Sequence, residues 1–283
     1  RLVFSSVLAD RFLDFIALRR SGGFDYSTQA RGLLYLDRFL RQESFAGQWP
    51  GRDLIQRYVG STKHLHPNTR IGRLSNVRQF CLYLRQLTPE CYVPELDPIW
   101  PKGQKSFRIP HIFTEDEIRA LLTAARALRP PGSLRGMTFY TLFGLLYTTG
   151  LRIGEATRLD LKDVDIGRRR LYVHKSKFRK SRWVPISPST CPVLQRYIQE
   201  RARVAAAAAA DPLFVNLRGH RFVHQIVHQA FRQILKQCGL HKGKGCHGPR
   251  IHDLRHTYAS HRLLRWYREG PAAGTVNALL PLL

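Results

Sequence analysis

Apolar residues recur at helical spacing along residues 1–93. After serines at 5 and 6 that suit a helix N-cap, Val7, Leu8, Phe12, Phe15 and Ile16 share one side of a first helix. A second, over 26–41, buries Leu33, Leu34, Leu36, Phe39 and Leu40, and a short third covers 53–59. The fourth, over 68–87, lines up Ile71, Leu74, Val77, Phe80, Cys81 and Leu84 and turns Arg70, Arg73, Arg78 and Arg85 to the other side. This pattern predicts a small helical bundle.

Periodicity lapses over 94–113, a stretch interrupted by prolines and carrying Lys102, Lys105 and Arg108, which reads as a basic linker. It resumes with Thr114 and Glu117, spaced as a capping box ahead of an amphipathic helix over 115–128. The next helix, 134–149, is apolar nearly all round, as suits a buried centre, and Gly150 permits a sharp exit from it. Between 161 and 186 the period falls to two. The segments VDI, RLYVH and RWVPI predict a three-stranded sheet, with a cationic tip loop holding Lys175, Lys177, Arg179 and Lys180. Helices over 188–204, 223–238 and 252–268 follow, with an extended DPLFV after the first and a basic loop, GLHKGKGCHGPR, before the last. A further helix begins at 275. The fold class expected is mainly α with a small β-sheet, divided as 1–93, a linker 94–113, and 114–283.

Charge alters this picture more than any other bulk property. Against 46 Lys and Arg stand 20 Asp and Glu, a net charge of +26 and a pI near 10.8, on a chain that is 43% apolar. So basic a folded chain points to a polyanionic partner, and nucleic acid is the commonest. The fourth helix has no acid at all, so its arginine face suits phosphates better than solvent alone. With no apolar run of about 18 residues and no signal-peptide pattern, a soluble, cytoplasmic, nucleoid-associated protein is expected, with no membrane partner. Cys81, Cys91, Cys191, Cys238 and Cys246 are odd in number and unpaired in motif, which suits reduced thiols. Cys238, His241, Cys246 and His247 match no standard zinc spacing, so neither a metal nor another cofactor is expected.

Two segments carry candidate chemistry. In LFGLLYTTGLRIGEATRLDLKDVD an apolar helix stops at Gly150, and Arg152 opens a short new helix with Glu155 three residues on. A guanidinium cannot shed its charge, so near a core it needs a partner: Glu155 either closes a structural pair or holds the fork toward an anion. Far downstream, IHDLRHTYASHRLL places His252 and Arg255 one helical turn apart. His256, Tyr258 and His261 on the same helix read as packing or supporting groups.

Together with the lysine hairpin, these segments resemble the tyrosine recombinase (integrase) family across nearly the whole chain. Arg152 in TGLRIGE matches the family's first arginine and Glu155 its supporting acid. Lys177, seven residues before Val184 of WVPI, matches the hairpin lysine, and His252 and Arg255 in HDLRH match the H-x-x-R pair. The resemblance implies a helical core-binding (SAM-like) domain followed by an α+β catalytic domain, forming a C-shaped clamp around DNA. It implies catalytic roles for Arg152, Lys177, His252 and Arg255. Arg70, Arg73, Arg78, Lys102, Lys105, Lys175 and Arg179 are the candidate DNA contacts.

The activity implied is cutting and rejoining of specific double-stranded DNA sites through a 3′-phosphotyrosyl intermediate and a Holliday junction. It would serve a mobile genetic element, with a dimer on each site and a tetramer in synapsis. The family's nucleophilic tyrosine finds no match within 1–283. The start at Arg1 and the alanine run at 205–210 suggest a piece of a longer product, so that tyrosine is expected in a helix beyond Leu283. Residues 1–283 alone should then bind DNA without forming a covalent bond. Two other readings remain at this point: a type IB topoisomerase relaxing DNA as a monomer, and a non-catalytic DNA clamp.

Overall fold

A computed structural model describes residues 2–95, 109–174, 181–204, 211–241 and 248–269, without the side chains of Val204 and Glu269. The linker lysines Lys102 and Lys105, the hairpin-tip Lys175, Lys177 and Arg179, Cys246, His247 and the helix expected from 275 all lie outside the described residues. The chain divides into two compact units, Arg1–Phe107 and Arg108–Leu283.

The first unit contains α1 (Ala9–Ser21), α2 (Ser27–Gln42), α3 (Arg52–Ser61) and α4 (Pro67–Leu87). Its core follows the predicted stripes, with Phe12, Leu33, Leu36, Leu40 and Phe80 fully buried. Phe12 stacks on Phe80 at 4.2 Å and on Phe4 at 5.0 Å between ring centroids, joining α1 to α4. The stripe extends too far at one end, because Val7 is exposed. Ser6, one of the two serines expected to cap α1, accepts from the Leu8 amide through its Oγ at 3.4 Å, while Leu8 itself stands at the N-cap. The buried Asp37 of α2 accepts from the Ser6 amide at 2.9 Å and the Ser5 amide at 3.1 Å, satisfying donors just ahead of the helix.

The second unit is built around α6 (Leu134–Thr149), whose Phe139, Leu142 and Phe143 are fully buried. It packs against α5 (Glu115–Arg126), α8 (Thr190–Val204) and α10 (Ile251–Glu269), while α9 (His224–Gln237) packs on α5. Phe113, in the stretch read as linker, is fully buried in this core. At the start of α5, Thr114 Oγ1 accepts from the Glu117 amide at 3.2 Å and Glu117 accepts from the Thr114 amide at 2.8 Å, the expected capping box. After the four-residue α7 (Ile153–Ala156) and a 3₁₀ turn (Leu161–Asp163), strands β1 (Val164–Asp165), β2 (Arg170–Val173) and β3 (Arg182–Pro185) form an antiparallel sheet in sequence order. Register pairs Leu171 with Val184 and Val173 with Arg182. The DPLFV segment forms only isolated bridges, Asp160 with Pro212 and Val215 with Arg221.

Candidate phosphate-binding site

The site begins where α6 ends. Gly150 adopts φ +64°, a left-handed turn that a glycine takes without penalty, and its amide donates to the Leu146 carbonyl at 3.0 Å. Space as well as dihedral demands glycine: an added Cβ would stand 2.4 Å from Cδ1 of Tyr258 on α10. The Arg255 guanidinium, one turn earlier on α10, donates to the Gly150 carbonyl. One sharp corner thereby positions the helix carrying His252 and Arg255.

Arg152 follows as the N-cap of α7. Its amide donates to Glu155 Oε2 at 3.0 Å and its Nη1 to Oε1 at 3.0 Å, so the carboxylate closes the first turn and holds the side chain. A second guanidinium shares that carboxylate. Arg182, first residue of β3, donates through Nη1 to Oε1 at 3.2 Å and through Nη2 to Oε2 at 2.9 Å, a two-toothed fork. The Glu155 side chain is 2% exposed, against 39% for Arg152 and 28% for Arg182. Burial pushes the Glu155 pKa upward. The hydrogen bonds from Arg182 and Arg152 and the charge of Arg182 outweigh it and hold the carboxyl below its ordinary value.

Arg182 was absent from the sequence candidates. The cue lay in strand alternation: Arg182 and the buried Val184 share one face of β3, and a cation on a core-facing position calls for a buried acid.

On α10, Asp253 Oδ2 accepts from the Arg250 amide at 2.8 Å and caps the helix start. Thr257 Oγ1 donates to the Asp253 carbonyl at 2.8 Å and accepts from the Phe113 amide at 3.0 Å, tying the entry of the unit to this helix. Partial loss of hydration is the largest cause lowering the His252 pKa. Neighbouring His256, Arg255 and Arg152 act in the same direction, against Asp253. The His252 and His256 rings meet edge to face at 4.9 Å. Arg255 is depressed first by desolvation and then by the charges of Arg152 and Arg182, with Glu155 and Tyr258 opposing. Arg152 and the His252–Arg255 pair, from segments far apart in sequence, thus lie within each other's electrostatic reach. His261 stands apart, its Nδ1 3.1 Å from the Tyr147 hydroxyl.

Arg152, Arg182 and Arg255 against one buried carboxylate leave the corner net positive. Such a set recognises a tetrahedral oxyanion, since guanidinium forks engage two oxygens at once. Among the described residues no group of three or more His, Cys, Asp or Glu could hold a metal ion.

The fourth-helix arginines are less free than a solvated face would be. The Arg73 guanidinium lies 3.5 Å from the Tyr35 ring centroid, Arg78 Nη1 donates to the Pro94 carbonyl at 2.6 Å, and Arg70 is half-buried. Among the described residues no helix is long and apolar enough to cross a membrane.

Residues 111–266 match the Phage integrase family. The chain is 36% identical over 280 residues to a Sinorhizobium fredii protein, y4rB, that carries an integrase/recombinase name, covering 95% of this chain and 85% of that one. It is 32% identical over 198 residues to the tyrosine recombinase XerC of Halalkalibacterium halodurans, covering 68% and 61%. The fold resembles the integrase of transposon Tn1549 in complex with circular intermediate DNA, at a TM-score of 0.66 and 16% identity, over 96% of this chain and 90% of that one. The corner built from Arg152, Glu155, Arg255 and His252 falls inside the matched span, and the chain belongs to the phage integrase family of tyrosine recombinases.

Proposed function

We propose that the protein is a site-specific DNA recombinase that cuts and rejoins strands for a mobile genetic element, with Arg152 and Arg255 gripping the scissile phosphate. One observation carries this reading: Arg255 donates to the Gly150 carbonyl, two residues before the Arg152 that Glu155 anchors, so two arginines from distant segments, with His252 one turn from Arg255, meet at one electropositive corner. A phosphodiester gains negative charge as it becomes pentacoordinate, and fixed guanidiniums on its non-bridging oxygens stabilise that state more than the ground state.

In the proposed step a tyrosine oxygen attacks phosphorus while the P–O5′ bond breaks. His252 takes the tyrosine proton. Its lowered pKa keeps the imidazole neutral and able to accept at neutral pH. Lys177, outside the described residues, protonates the leaving 5′ oxygen. The bond energy stays in the phosphotyrosine, so a 5′ hydroxyl from a partner strand reverses the step without ATP and passes through a Holliday junction.

The nucleophile in this reading is a tyrosine outside 1–283. Tyr258 packs against Gly150, and Tyr267, 85% exposed, lies three turns beyond Arg255 on α10. Two duplexes cut on both strands need one protomer per cut, hence a dimer on each site and a tetramer in synapsis. Arg70, Arg73 and Arg78, with Lys102, Lys105, Lys175 and Arg179, supply phosphate contacts.

The test is a covalent trap. The full-length protein is mixed with its duplex site, selected from a random pool and nicked beside the cut, and the adduct is resolved on a denaturing gel. A 3′-phosphotyrosyl adduct whose labelled peptide contains a tyrosine is the expected result. Intact DNA after prolonged incubation with the selected duplex overturns the reading. Relaxation of plasmids lacking that site would assign a topoisomerase instead.

A further inference from the structure

We infer that Arg182 is a positioning residue that keeps Arg152 turned toward the phosphate, an inference resting on the recombinase reading above. The Glu155 carboxylate is almost fully buried, and arginine–carboxylate pairs frequently close as two-toothed forks. Arg152, three residues away on the same turn, is the nearest candidate. It nevertheless touches Glu155 through a single side-chain nitrogen, Nη1 at 3.0 Å. The two-toothed pairing belongs to Arg182, which contacts both carboxylate oxygens. With both oxygens occupied, Arg152 is anchored at one tooth, and its side chain stays 39% exposed with donors left for another anion.

Arg182 acts on the corner in a second way. Its register partner is Val173, at the closed end of the β2–β3 pairing, next to the segment bearing Lys177. The same guanidinium that occupies Glu155 therefore fastens the hairpin stem to the Arg152 turn. Its charge also adds to the field on Arg255, whose pKa it helps lower.

The mechanism makes a demand that a merely structural salt bridge does not. If Arg182 works by keeping Glu155 from capturing Arg152, neutralising Glu155 should relieve the loss of Arg182. Cleavage rates at saturating nicked duplex and duplex affinities are measured for the full-length wild type, R182M, R182K, E155Q/R182M and R152A. R182M is expected to cleave about 10- to 100-fold more slowly, the usual range for losing a group that orients a site residue. Its duplex affinity is expected to change less than about threefold, since one partly buried cation contributes little to a many-phosphate contact. R182K, which keeps the charge and gives up the fork, should fall between R182M and wild type. E155Q/R182M should recover about tenfold over R182M, a coupling of the size found between contacting residues.

An R182M enzyme as fast as wild type overturns the inference, as does a double variant no faster than R182M. Should R182M fail to fold, R182K carries the test, and wild-type cleavage by R182K overturns it. R152A separates the two levels. An active R152A enzyme overturns the recombinase site itself, whereas an inactive R152A beside an undiminished R182M overturns only the role of Arg182.

Discussion

The arginines of α4 and those of the α6–α7 corner are the same residue put to different uses, and their partners set the difference. Arg73 rests on the Tyr35 ring and Arg78 on the Pro94 carbonyl, neutral partners that leave each full positive charge available to solvent or phosphate. Arg152 and Arg182 share a buried carboxylate that takes up part of their charge and fixes their direction. Neutral partners suit a surface whose task is affinity, and an ionic partner suits one whose task is geometry. Substitutions on the two sides should therefore fail in different ways.

The largest effect is expected at the corner. R152A or R255A should lower covalent adduct formation by about 10³-fold, the loss typical of removing a preorganised charge-stabilising donor, while duplex affinity changes little. A parallel fall in affinity would mean that these arginines bind as the α4 arginines do. E155A leaves two guanidiniums without their acid and removes the α7 cap. An unfolding midpoint shift equivalent to about 3 kcal/mol is expected, at the low end for a broken buried pair because both arginines reach solvent. G150A forces a side chain into a left-handed turn and against Tyr258, with about 2 kcal/mol lost and cleavage falling alongside as α10 is displaced.

On the other side, R73A and R78A should each weaken duplex binding at every sequence and reduce the salt slope by about one, with cleavage at saturating DNA unchanged. A loss confined to one sequence would show that α4 reads bases.

The smallest effect separates the groups by pH. His252 has a folded pKa below its ordinary value, so the folded state binds fewer protons than the unfolded one and stability falls as pH drops through and below 6.5. Glu155 is also lowered, so its contribution is present above its ordinary 4.5 and is lost only on further acidification. H252Q should shrink the first limb of the unfolding profile to the part contributed by His228, whose pKa loss of hydration also lowers, and leave the second. A wild-type profile flat between those limits would contradict the lowered His252.

Much of the helical plan was legible because a helix advertises its buried side at a period near 3.6. The stripes of α2 and α4 and the all-apolar α6 needed no partner to be recognised. Arg152 with Glu155 was legible for the same local reason, since a three-residue spacing at a helix start is a contact in itself. His252 and Arg255 could be paired with each other by one helical turn. Their meeting with Arg152 came only through family resemblance, because no local rule links residues a hundred positions apart.

What the sequence determined unaided was most of the described helices, the three-stranded sheet and the sign of the surface: periodicity, capping and a net charge of +26 are properties of the chain itself. What tertiary structure decided was which oxygens the cations meet. Asp37 takes the amides just ahead of α1 from a neighbouring helix, Tyr258 makes glycine mandatory at 150, and Arg182 reaches Glu155 from a strand. Each is a contact between segments distant along the chain. A buried polar group takes its partner from whichever segment packing brings within about 3 Å, and spacing along the chain does not encode that distance.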